Sequence, residues 1–377
     1  MKLRVIIPYF YPAYVYGGAV FASYNLSKEI ANLGVEVFVS TTNSNGTKKL
    51  DKQTNRHLAL ENMMVNYYDA GYLPFFSIRM ITGLYYDIKS SDIVHIQSIY
   101  SLTTLFALCY SYFLKKPVLL SPRGSLTSWS FNHRKISKLI WIKYLIKPFI
   151  KRIYWHATSI REEKEIKAFF PKAKVVLISD GTHLSSKNID FVEKNQWEDQ
   201  NYIACLGRIH KVKGFDIIIN AMPSILEKYP QIKLLIAGDD EGELNYLKHL
   251  IGDLSLDKKV EFLGNINDRN KNLFLKHAKC LVVPSHTENF GIVVVEALSQ
   301  STPVIASTNT PWSVLAEKQA GLYVDNTIDE ISKAVVKVLD NPKQYQKNTM
   351  EVVKEYNWNS IAITYKHILK DIVSKTL

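Results

Sequence analysis

Two glutamates eight residues apart, Glu288 and Glu296, flank the stretch Phe290-Gly291-Ile292, which opens an apolar helical run just after a strand-like segment at 280–284. In open parallel sheets ligands gather at the carboxyl ends of the strands, and a helix N-terminus offers backbone N–H groups that attract phosphate. Gly291 lets the backbone come close to such an anion. Paired carboxylates also raise glycoside hydrolysis, where acid and base stand roughly 5 to 9.5 Å apart. Eight helical residues advance about 12 Å, so the spacing disfavours that chemistry. A carboxylate that accepts two hydroxyl hydrogen bonds selects polyols, and both glutamates read better as hydroxyl acceptors for a sugar or a ribose.

A second constellation follows the strand-like segment 202–206: Gly207-Arg208-Ile209-His210-Lys211-Val212-Lys213-Gly214. Arg208 and Lys213 lie on a loop between strand and helix, where two cations can grip both phosphates of a diphosphate and stabilise the charge that develops as it leaves. Lys211 reads as a solvated lysine. The third is Gly17-Gly18, ahead of a helix at 18–33 that stops at Gly34. Paired glycines there admit a phosphate or sugar, or simply make a flexible turn. No G-x-G-x-x-G follows the first strand, which weakens a dinucleotide reading. His95, Arg123 in Ser121-Pro122-Arg123-Gly124, and His156 also fall at or near strand ends. His95 is a candidate catalytic group, Arg123 a candidate for lining the ligand side, and His156 either a lining residue or, better, a packed structural histidine.

The elements that must position these residues alternate strand and helix from end to end, so the class is α/β with parallel sheets. Strands are expected at 3–7, 35–40, 64–68, 93–97, 118–121, 156–159 and 175–178, then at 202–206, 233–237, 260–263, 280–284 and 304–306. A chain of 377 residues exceeds one ordinary core. Two doubly wound domains facing a cleft are expected, 1–190 and 191–357, with the polar stretch 187–200 as linker. A last helix at 358–377 either caps the second domain or returns to the first.

Net charge is +12, concentrated in the first half: residues 1–190 hold 25 Lys and Arg against 12 Asp and Glu, the remainder 22 against 23. No acid occurs between Asp92 and Glu162, and residues 132–155 interleave Lys and Arg with Ile, Leu, Trp, Phe and Tyr. That composition suits a peripheral, anionic membrane surface. A nucleic-acid partner is disfavoured, since one half carries the charge and no recognised motif accompanies it. Residues 93–114 carry no charge but read as a buried strand and a soluble helix instead of a membrane span. Three widely spaced cysteines, Cys109, Cys205 and Cys280, suit a reducing cytoplasm and show no metal spacing.

In this order and spacing the Glu288-to-Glu296 run, the 207–213 loop and the Gly17-Gly18 turn resemble family 4 glycosyltransferases, which have the GT-B fold. The resemblance covers most of the chain. It implies that Arg208 and Lys213 bind the donor diphosphate, that Glu288 contacts the transferred sugar and Glu296 the ribose, and that the backbone of Phe290, Gly291 and Ile292 meets the phosphate. It further implies a helix at 358 onward returning to the first domain, and transfer with retention without a bound metal or other cofactor. The expected activity is a hexosyltransferase of bacterial surface-polysaccharide type (O-antigen, capsule or exopolysaccharide). Its donor would be a nucleotide-diphosphate sugar, UDP favoured and GDP second, and its acceptor a saccharide hydroxyl, polyprenyl-diphosphate-linked. The work would be done on the inner face of the cytoplasmic membrane. An epimerase or a phosphorylase of the same fold is the alternative. Two departures stand out. Gln97 takes the place of the second histidine in a His-x-His that many members carry, and Ser179-Asp180-Gly181 replaces a Pro-Asn-Gly turn. Gly181 keeps that turn.

Overall fold

Strands buried on both faces read as continuous apolar runs, and Lys2–Tyr9 is of this kind, buried from Leu3 through Pro8. It sits fifth in an eight-stranded sheet ordered Lys174–Leu177, Ile153–Ala157, Val118–Ser121, Ile93–Gln97, Lys2–Tyr9, Glu36–Thr42, Met63–Tyr68 and His57–Leu60. All neighbours pair parallel except the last two strands, which are antiparallel. The second sheet has six parallel strands ordered Val260–Gly264, Lys233–Ala237, Tyr202–Leu206, Leu281–Val283, Val304–Ser307 and Gly321–Val324. Numbered along the chain this is 3-2-1-4-5-6, the Rossmann order, whose topological switch lies between its first and fourth strands.

This computed structural model describes residues 1–71, 75–132, 135–183, 197–266 and 268–375. The chain divides into two units, Met1–Asp180 with Trp358–Leu377, and Gly181–Asn357. The expected boundary at 190/191 is therefore corrected to 180/181. The cause is local: Asp180 is ion-paired to Arg123 in the first unit, whereas Thr182 already bonds through its N–H to the Tyr356 carbonyl in the second. Most of the expected linker, 187–196, lies outside the described residues.

The last helix, Trp358–Ser374, belongs to the first unit. Its apolar stripe of Trp358, Ile361, Ala362, Tyr365, Leu369 and Ile372 shares a core with Leu3, Val5, Leu26 and Ile30. The stretch expected as a strand at 156–159 slides back to Ile153–Ala157, because Ser159 caps helix Ile160–Phe169 by accepting the Glu162 N–H. His57–Leu60 and Gly321–Val324, four-residue strands at the sheet edges, were not expected. Residues 93–114 resolve into strand Ile93–Gln97 and helix Leu102–Phe113, and no helix among the described residues is long and apolar enough to cross a membrane.

Candidate active site

The loops that leave the first and fourth strands of the second sheet are the two that carry the singled-out residues. Residues 207–214 leave Tyr202–Leu206, form a short 3-10 turn over Lys211–Lys213 and reach Gly214 before helix Phe215–Lys228. His286 on the neighbouring loop donates its backbone N–H to the Val212 carbonyl at 2.9 Å, joining the two loops. Gly214 is left-handed (φ 65°, ψ 29°), and a Cβ built there would stand 2.1 Å from the Pro284 carbonyl oxygen. Both the conformation and the approach demand glycine. Gly214→Ala is expected to destabilise the second unit by about 2 kcal/mol and to weaken nucleotide binding, since backbone must move. Thermal melting and nucleotide titration read the two effects, and a variant that melts and binds as the parent does refutes this packing role.

Across that seam Lys213 forms an ion pair with Glu288, whose Oε1 also accepts from Ser285 Oγ at 3.1 Å. The pair is largely enclosed, with side chains 18% and 11% exposed. Gly291 follows in the left-handed region (φ 80°) and opens helix Ile292–Ser299. The first N–H groups of a helix have no intrahelical acceptor, and a Cβ on Gly291 would lie 3.6 Å from Glu288 Cγ. A cation, a carboxylate and a helix N-terminus thus converge at the switch point. The Phe290 side chain is buried, 5.1 Å from Trp312 and 5.7 Å from Tyr356 between ring centroids. Its carbonyl accepts from Trp312 Nε1 at 2.5 Å. Phe290 holds the loop while the following backbone stays available.

Glu296 lies in the helix and pairs with Lys271 at 2.7 Å. Arg208 Nη1 donates to both oxygens of Glu241, at 2.7 and 2.8 Å, with its side chain 44% exposed. Neither cation-to-carboxylate pairing is legible in the sequence. Glu241 follows the end of Lys233–Ala237, so a systematic walk along strand ends would have found it; Lys271 sits in helix Asp268–His277 and offered no signal. A cavity of about 400 Å³ opens at the ends of Lys233–Ala237 and Val260–Gly264, lined in part by Ile209, Gly238, Asp239 and Phe262.

In the first unit Gly17 (φ 68°, ψ −146°) caps helix Gly18–Asn32 beyond the first strand, as the glycine pair suggested for a helix start. His95 is different. It is 1% exposed, its Nε2 lies 2.7 Å from Ser121 Oγ and its Nδ1 lies 2.6 Å from the Tyr365 hydroxyl. Ser121 Oγ continues to His156 Nδ1 at 2.7 Å, and His156 Nε2 reaches the Ile178 carbonyl at 2.7 Å. A carbonyl only accepts, so His156 Nε2 carries a proton and Nδ1 accepts from Ser121. Ser121 then accepts from His95 Nε2–H, and Tyr365 donates to His95 Nδ1. Both imidazoles are neutral in this chain. Burial, then the neighbouring His156 and Arg123, pushes His95 well below its ordinary range, and burial with Arg123 lowers His156 to about 4. The expected catalytic His95 is corrected, and of the two readings of His156 the packed structural one holds: both rings are spent inside the core, and His95 ties the last helix to the sheet through Tyr365.

Arg123, expected to line the ligand side, is buried instead. Its Nη1 donates to both Asp180 oxygens at 2.6 and 2.8 Å, and its Nε to Gln97 Oε1 at 3.3 Å. Arg123 Nη2 and Gln97 Nε2 are left as buried donors without a partner among the described residues. They lie beside the switch point of the first sheet, between Lys2–Tyr9 and Ile93–Gln97. Gly181 opens the second unit.

Residues 186–356 match the family model described as glycosyl transferases group 1. An uncharacterized glycosyltransferase of Methanocaldococcus jannaschii is 34% identical over 171 residues, 44% of this chain and 43% of that protein. A GDP-mannose-dependent monoacylated alpha-(1-6)-phosphatidylinositol monomannoside mannosyltransferase of Corynebacterium glutamicum is 32% identical over 148 residues, 37% of this chain and 38% of that protein. The chain thus spans less than half the length of these curated relatives. Among solved structures, Anabaena HepE in complex with UDP and glucose superposes with a TM-score of 0.76 at 16% identity, covering 98% of this chain and all of that one. The fold is GT-B, two Rossmann-like α/β units. The matched stretch, 186–356, lies within the second unit.

Proposed function

We propose that the chain is a retaining glycosyltransferase that moves a hexose from a nucleotide-diphosphate sugar to a hydroxyl of a saccharide acceptor. The observation that carries this is the meeting of Lys213, Glu288 and the N-terminus of helix Ile292–Ser299 at the switch point of a 3-2-1-4-5-6 sheet. In this reading Lys213 and the helix N–H groups hold the diphosphate, Arg208 adds a second cation, Glu288 accepts sugar hydroxyls and Glu296 those of the ribose. The cavity beside Gly238 and Phe262, at the second and third strands, has room for the base. The bond from the anomeric carbon to the diphosphate oxygen breaks as the acceptor oxygen bonds to that carbon from the same face, and the acceptor proton passes to a phosphate oxygen. Charge on the leaving group is taken by Arg208, Lys213 and the helix, without calling on a metal or another cofactor.

A UDP-sugar is the favoured donor and a GDP-sugar the second. The UDP and glucose bound to HepE support the former, the GDP-mannose dependence of the Corynebacterium relative the latter. That relative's lipid acceptor and the basic first half support a lipid-linked saccharide, polyprenyl-diphosphate-borne, in surface-polysaccharide assembly at the inner membrane face. The test is a panel of nucleotide-sugars. A true donor at 100 times its Kd stabilises the fold by about 2.7 kcal/mol, and with acceptor it yields a glycoside whose anomeric configuration, read by proton NMR, matches the donor's. A new sugar nucleotide formed without acceptor, or inverted product, overturns the proposal.

A further inference from the structure

A second charged site lies at the opposite edge of the first sheet from Gly17 and Gln97. Lys115, Lys116, Lys151, Arg152, Lys174 and Lys375 line a pocket of about 320 Å³, which also contains Tyr154 and no acidic residue. They come from four separate stretches of the chain. The fold gathers them at the amino-terminal ends of three neighbouring strands, Val118–Ser121, Ile153–Ala157 and Lys174–Leu177. The acid-free run foretold the first four, while Lys174 and Lys375 join only through the sheet and the last helix.

Five of the six are exposed and Lys116 is half-buried. None of the six takes part in an ion pair among the described residues. Two lie against aromatic rings, one outside the pocket and one within its lining. Arg152 stacks over Tyr112 at 4.3 Å and donates to the Tyr112 carbonyl at 3.1 Å, and Lys174 Nζ lies 5.1 Å from the centre of the Tyr154 ring. Lys115 adopts a left-handed backbone (φ 53°) to turn into the strand behind Pro117. Like charges gathered round a concavity repel one another unless an anion enters, and lysine ammonium groups aimed from several directions suit the separate oxygens of a phosphate.

We propose that this pocket binds a phosphate-bearing ligand, a phosphomonoester or diphosphate group, at a site separate from the donor loops. The inference does not depend on how the second unit is read. Inorganic diphosphate is titrated at low salt into the parent, K116Q/K151Q/K174Q, the control K337Q/K343Q/K354Q, which removes equal charge from exposed positions of the second unit, and R208A/K213A. Binding that persists in R208A/K213A and in the control but weakens about tenfold or more in the pocket variant is the expected result. Sedimentation with phosphatidylglycerol vesicles, against phosphatidylcholine, then distinguishes the source. Vesicle binding lost only in the pocket variant assigns a lipid headgroup, and diphosphate binding without vesicle binding assigns a soluble phosphate compound. A pocket variant that binds both probes as tightly as the control, or a parent that binds neither, overturns the site.

Discussion

Replacing Lys213 by alanine is expected to lower kcat with the preferred nucleotide-sugar by about 10²- to 10³-fold, the loss that follows removal of one preorganised group from the charge it stabilises. The expectation rests on where the ammonium sits. Lys213 is largely enclosed beside Glu288 and close to the N-terminus of helix Ile292–Ser299, so it acts in a site with little water. Interactions with developing charge are stronger there than at an exposed surface. Lys213→Ala also leaves the Glu288 carboxylate without its cation, although Ser285 Oγ still donates to it. Melting temperature must therefore be measured with nucleotide release. Glu288→Gln separates the contributions, since the amide keeps the shape and an acceptor for Lys213 but loses the charge. A Lys213→Ala variant that remains folded and turns over within about threefold of the parent sinks the role assigned to this lysine.

The second-unit site was legible because its parts are local in sequence. Gly207 through Gly214 and Ser285 through Ile292 are each one loop after one strand, and alternation of strand and helix places both loops on the same edge of the sheet. What one segment cannot show is the partner on another. Glu241 on Arg208 and Lys271 on Glu296 are joined across 33 and 25 residues, and no spacing rule links them. The first unit misled for the same reason in reverse. His95 stands near a strand end, where ligands gather, but Tyr365 arrives from 270 residues away to take its Nδ1. Once the last helix closes over that strand, the histidine belongs to the core. The fold class was readable from buried strands such as Ile93–Gln97 and Tyr202–Leu206, whose bounds coincide with expectation. The edge strands His57–Leu60 and Gly321–Val324 were not: each is only four residues long and none of His57–Leu60 is fully buried.

Arg123→Ala is expected to cost the first unit about 3–5 kcal/mol, because it strands a buried carboxylate. Arg123 and Asp180 have side chains 9% and 8% exposed, and one guanidinium nitrogen serves both Asp180 oxygens. Without that cation Asp180 must ionise unpaired in the interior, take up a proton or pull out of it. It is also the last residue of the first unit before the chain passes into the second at Gly181, so pulling out would loosen the exit of the chain. For a unit of this size, 3–5 kcal/mol corresponds to a fall in Tm of roughly 6 to 20 °C. Arg123→Lys recovers only part, since a compact ammonium cannot also reach Gln97 as the guanidinium does. The decisive comparison is Arg123→Met with Asp180→Leu: replacing both charges by apolar groups of similar volume removes the desolvation cost together with the attraction, and the double variant should melt well above Arg123→Ala. Equal melting of the two would mean that the pair is not what holds this end of the first unit, and that the boundary at 180/181 is set by the Thr182 pairing in the second unit alone.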